Sequence, residues 1–120
     1  MSRTIRQSPL HDALTAMSPT WGAVNGMNAA LTMPGDSAAN EILLADASCL
    51  TRMGVKGPQA ESWLATQGVP VPQGVNTWAG SPAGAVVARL ARSEFFLEDG
   101  FGGDTVERLR RQLASAPGLY

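Results

Sequence analysis

Apolar positions fall very unevenly along this chain of 120 residues. Before residue 41 no hydrophobic spacing persists for more than a turn. Leu10, Leu14 and Met17 share one face if 10–17 (LHDALTAM) forms a short helix. Beyond them Trp21, Val24, Met27, Leu31 and Met33 are irregularly spaced among Pro19, Pro34 and several Gly and Ser residues. Solvated leaders seldom carry such side chains, so residues 1–40 are read as an N-terminal arm lying along its own domain or a partner.

From residue 41 the pattern becomes regular, and residues 41–120 are read as one domain. EILLADA (41–47) predicts a short buried strand. RMGVK (52–56) alternates, with Met53 and Val55 on one face, and predicts a half-buried strand. Gly57-Pro58 predicts a helix start, because proline in the first turn sacrifices no needed hydrogen bond. Ala60, Trp63 and Leu64 give that helix one apolar stripe, and Gly68 stops it. Val69-Pro-Val-Pro-Gln-Gly is a stiff connector. AVVARLA (85–91) and EFFLE (94–98) alternate across a short link and predict a hairpin, with Val86, Ala88 and Leu90 opposed to Val87 and Arg89. A helix is predicted over about residues 105–114, with Asp104 as N-cap, Glu107 completing a capping box, and Val106, Leu109 and Leu113 turned inward. Pro117 closes it. The fold class is α+β: a split β-α-β-β-α(-β) layout with both helices on one face of a small sheet. The closing strand is missing before Tyr120, so an unpaired edge is expected to make the isolated chain poorly soluble.

Charge and cysteine usage narrow the function classes. Nine basic and ten acidic residues leave a net charge of -1. That balance gives no electrostatic footprint for nucleic acid, which needs a basic surplus. Lys56 is the only lysine; composition alone favours a GC-rich genome as the cause, while a surface so poor in lysine is also one that a subunit inside an assembly tolerates. One cysteine, Cys49, excludes an internal disulfide framework and suits a reducing cytoplasm. No apolar run reaches bilayer length, and the N-terminus has no signal-peptide core. The expectation is a cytoplasmic chain with no membrane partner.

Within that frame, LADASCLTRMGVKGPQAESWLATQG (44–68) resembles the opening of the folate-binding domain in the aminomethyltransferase, or glycine-cleavage T-protein, superfamily. The matching residues are Asp46, Ser48, Gly57, Pro58, Ala60, Trp63 and Leu64, and VVARLARSEFFLEDG is similar to a later hairpin of that family. By size and pattern the chain looks like a shortened gamma subunit of the heterotetrameric sarcosine oxidases. The resemblance covers about residues 41–113. It implies a non-catalytic accessory subunit of a flavin amine oxidoreductase that demethylates N-methyl amino acids and passes the one-carbon unit to tetrahydrofolate. It also implies that FAD, FMN, NAD and tetrahydrofolate are held by larger partner subunits and none by this chain. The packing partner would be the folate-binding large subunit. A free-standing small folate- or ligand-binding domain is the alternative.

No catalytic, cofactor-binding or metal residue is assigned. Asp46 and Ser48 are read as a turn held by side-chain-to-backbone hydrogen bonds. Gly100-Phe-Gly-Gly103 lies between strand and helix, where phosphates are often cradled, but it lacks the full glycine pattern and Asp104 stands at the anion's position. Cys49 reads as an inert, partly buried thiol and His11 as a lone histidine. Arg108, Arg110 and Arg111 suit a solvated helix end. Trp21 is expected to be buried against another subunit.

Overall fold

The structure is a computed structural model that describes residues 5–35 and 44–116. It contains two compact units, residues 1–50 and 51–120. The division therefore falls after residue 50 where a boundary after residue 40 was expected, and the described part of the expected arm, 5–35, holds regular elements of its own.

In the first unit a short helix α1 (His11–Ala16) follows strand β1 (Arg6–Gln7). The helix exists where its spacing predicted, but Leu10 and Met17 stay half exposed and none of its residues is buried. Strands β2 (Thr20–Val24) and β3 (Met27–Thr32) pair antiparallel, and β1 joins β3 in parallel, giving the order β1-β3-β2. The hairpin turns on Asn25-Gly26, with φ of 50° and 74°. Positive φ at both central residues is what a tight two-residue hairpin demands, and Asn-Gly is its preferred sequence. Asn25 also donates from Nδ2 to the Cys49 carbonyl (3.0 Å). Met27, Ala29 and Cys49 form a small buried cluster, with Val24 and Leu50 against it. The strand expected over 41–47 is not found in its described part: Leu44 is 96% exposed and 44–47 form no strand, while 41–43 lie outside the described residues.

The second unit follows the predicted order with one addition. Strand β4 (Arg52–Lys56) leads to helix α2 (Ala60–Thr66), then strands β5 (Thr77–Gly80), β6 (Val86–Ala91) and β7 (Glu94–Glu98), and helix α3 (Thr105–Leu113). The sheet order is β4-β7-β6-β5, with every neighbouring pair antiparallel. β7 thus separates β4 from β6, which is the split arrangement the sequence implied. β5, unforeseen, adds a strand outside β6. Pro58 sits in the turn ahead of α2 rather than in its first turn, and Gly68 takes a left-handed φ of 71° after its end.

The core lies between this sheet and its helices. Met53, Val55, Val87, Phe95 and Leu97 meet Ala60 and Leu64 of α2 and Val106 and Leu109 of α3, with Trp63, Val71 and Leu113 packed around them. Phe95, Leu64, Leu97 and Leu109 are fully buried. Burying a side chain of that size contributes roughly 1.5–3 kcal/mol each, so this cluster dominates the unit's stability.

Candidate functional site

The most conspicuous polar group of the second unit is Arg89. It lies on β6 opposite Phe95, on the helix-covered face, and is 7% exposed. A buried guanidinium needs partners for its donors; here both terminal nitrogens have them, while Nε has none. Nη2 donates to Glu61 Oε2 of α2 (2.7 Å) and to the Arg92 carbonyl (2.6 Å). Nη1 donates to the Pro72 carbonyl (3.0 Å) and the Gln73 carbonyl (3.3 Å). The guanidinium also stands 5.2 Å from the Phe95 ring centroid, within cation–π range. One side chain therefore ties together α2, the proline-rich connector, β6 and the turn before β7. Beside it Pro58, Glu61, Arg92 and Ser93 line an open depression of about 430 Å³. Its charged walls, Glu61 and Arg92, form no nucleophile–base pair.

The glycine-rich loop after β7 is organised by Asp99, not by Asp104. Asp104 makes no side-chain capping bond to α3, so the predicted capping box does not form. Asp99, 1% exposed, instead accepts the Val106 N–H at Oδ2 (2.9 Å). A carboxylate from outside the helix thus occupies the N-terminus where an anion would sit, satisfying an orphan donor and the helix dipole. Gly100 is required by packing: a Cβ there would come within 2.9 Å of the Gly84 carbonyl oxygen. The loop reads as a tight strand-to-helix connection with its anion built in.

The remaining candidates resolve similarly. Asp46 Oδ1 accepts from the Ser48 N–H (3.0 Å) and hydroxyl (2.6 Å), the turn the sequence suggested. Cys49 is buried in the apolar cluster of the first unit. His11 packs its ring against Trp21, centroids 4.8 Å apart. Trp21 is half-buried in β2, so its large ring already has a contact within its own unit. Arg108 Nη1 donates to the Gln67 carbonyl at the end of α2 (3.2 Å), and Arg110 Nη2 to the Arg52 carbonyl (2.6 Å). These two arginines are therefore bound to backbone rather than merely solvated. Arg52 and Glu98 pair across β4 and β7. Among the described residues no group of three or more His, Cys, Asp or Glu side chains is placed to hold a metal, and no helix is long and apolar enough to cross a membrane.

Sequence reasoning missed Arg89's brace, strand β5 and the first hairpin. The hairpin had a visible signal, Asn25-Gly26 between short apolar stretches. The role of Asp99 had none, because its partner Val106 is seven residues away.

Among solved structures, the chain is similar to the glycine cleavage system aminomethyltransferase T from Bartonella henselae, with a TM-score of 0.57 and 15% identity. The likeness covers 98% of this chain but 37% of that one, so the chain spans well under half of the aminomethyltransferase. The fold is T-protein-like. No family model matches the sequence, and no curated protein matches it significantly.

Proposed function

We propose that this chain is a non-catalytic, gamma-type accessory subunit of a multisubunit sarcosine oxidase-like flavin amine oxidoreductase. Such a complex demethylates N-methyl amino acids or related amines and passes the one-carbon unit to tetrahydrofolate. In this reading FAD, FMN, NAD and tetrahydrofolate belong to larger cytoplasmic partner chains, and the folate-binding large subunit is the one contacted. The observation that carries the reading is a T-protein-like fold whose prominent polar side chains are engaged in holding it. Arg89 braces four segments, Asp99 caps α3 and Asp46 closes a turn. The exposed part of Trp21 is proposed as a partner contact.

The test is co-expression with flavin-binding chains encoded beside the gene, followed by mass measurement of the purified complex. Stoichiometric co-purification with a yellow oxidoreductase is expected, with Trp21→Ala weakening assembly but not turnover per assembled complex. Purification of an active oxidoreductase from which this chain is absent would sink the proposal. The depression lined by Glu61 and Arg92 favours a second reading, a free-standing folate- or ligand-binding domain. Calorimetric binding of tetrahydrofolate to the isolated chain at micromolar affinity, lost in Arg92→Ala, would establish that alternative.

A further inference from the structure

The two edges of the four-stranded sheet differ. The β4 edge carries Arg52 and Lys56, and its Arg52 carbonyl is occupied by Arg110. Antiparallel pairing of β4 with a second copy about Gly54 would set Arg52 opposite the copy's Lys56, like charge against like. The β5 edge has none of these protections. Thr77-Trp78-Ala79-Gly80 contains no charge and no proline, and its pairing with β6 shows no bulge. Thr77, Trp78 and Gly80 are exposed, Trp78 by 69%. Natural edges are normally blunted by charge, proline or a bulge, and an edge lacking all three is a template for another strand.

The outward face that continues from this edge is apolar across β5 and β6 and carries charge farther on, at Arg52 and Lys56 of β4 and Glu94 and Glu98 of β7. Trp78 lies in register with Ala88 of β6, Phe96 of β7 and Gly54 of β4, on the side opposite the helices. Val86, 41% exposed, shares that side, and Leu90 at the bulge is 49% exposed.

We propose that β5 is a self-association edge, filled by β5 of a second copy of this chain. The two strands run antiparallel about a two-fold axis through Ala79, joining the two sheets into one. In this register Ala79 faces its counterpart and Trp78 stands opposite Gly80 of the second copy. An aromatic side chain laid over a cross-strand glycine shields exposed backbone and stabilises an edge pair. Gly80 leaves room for it, since nothing lies within 4 Å of where its Cβ would be. A second copy fits better than an arbitrary strand because the match is isologous: the same uncharged residues meet on both sides and no like charges are opposed. Trp78 of each copy then bridges the outward apolar faces.

Sedimentation equilibrium of the full chain, from micromolar to several hundred micromolar, tests this. A reversible monomer–dimer equilibrium is expected. Trp78→Lys and, independently, Gly80→Lys should each weaken it by about tenfold or more, by placing a charge beside its symmetry mate. Lys56→Ala, on the β4 edge, should leave it unchanged. Circular dichroism and thermal melting establish that each variant is folded. A chain that stays monomeric throughout overturns the inference, as does a dimer that survives both β5 substitutions. Growth into open-ended polymers also overturns it, because isologous pairing closes at two. The proposed function does not depend on the result.

Discussion

The two units of this chain reach stability by different routes. The second unit lays two helices over one face of a sheet, and ten buried apolar residues meet between them. The first unit is built on a three-stranded sheet and, among the described residues, only Met27, Ala29 and Cys49 are buried in its cluster, so turn geometry and backbone bonding carry a larger share. Hydrophobic stabilisation scales with apolar area removed from water, and the difference is therefore one of energy as well as shape. A fold that concentrates its burial in one unit leaves the other dependent on local devices such as the Asn25-Gly26 turn.

The strongest test of that contrast is a pair of truncations. Leu64→Ala, in a site with no exposure, should destabilise the second unit by about 3–4 kcal/mol. Met27→Ala should cost the first unit about 2 kcal/mol, at the low end for such changes, because a thin cluster collapses more easily around a deletion. Native-state hydrogen exchange reads the units separately, and a larger loss at Met27 would reverse the comparison.

Arg89 gives the next effect. Arg89→Ala leaves the buried bond to the Pro72 carbonyl and the part-buried bond to the Arg92 carbonyl without their donor, and should cost about 3 kcal/mol in urea unfolding. Arg89→Lys should recover only part of that, since an ammonium cannot span four acceptors with a planar fork. Full recovery by lysine would show that charge alone matters there.

Smaller again is the helix cap. Asp99→Ala should cost about 1–2 kcal/mol and Asp104→Ala less than about 0.5 kcal/mol, because only Asp99 bonds the end of α3. Thermal melts showing the opposite ranking would restore the capping box to Asp104. At the lower end of the Asp99 effect is Asn25→Ala, which should lose about 1 kcal/mol through its bond to the Cys49 carbonyl and its left-handed backbone. The loss should appear in exchange of the first unit's amides and leave those of the second unchanged.

Most of the second unit was legible in the sequence. The alternation of RMGVK put Met53 and Val55 on one face of a half-buried strand, EFFLE read as a strand of the hairpin, and the stripe Ala60, Trp63, Leu64 gave α2 its apolar side. Those signals are local, and each repeats at the period of its own element. β5 escaped because TWAG is too short to show a period, and only its register against β6 makes it a strand. The first unit escaped for a related reason: its strands are half-exposed, so apolar spacing says little about them.

By itself, then, the sequence determined the α+β class, the order of strands and helices beyond residue 51 except for β5, and the apolar stripe of α2 behind Gly57-Pro58. Those are properties of neighbouring residues. The tertiary structure alone decided which side of AVVARLA faces the core. Composition would favour Val86, Ala88 and Leu90, yet Val87 and Arg89 point inward. A guanidinium is tolerated there only because Glu61 and three carbonyls, drawn from segments up to 28 residues away, converge on it. The same choice turns the apolar side of β6 outward. No local pattern encodes such a convergence, because the partners become neighbours only once the chain has folded.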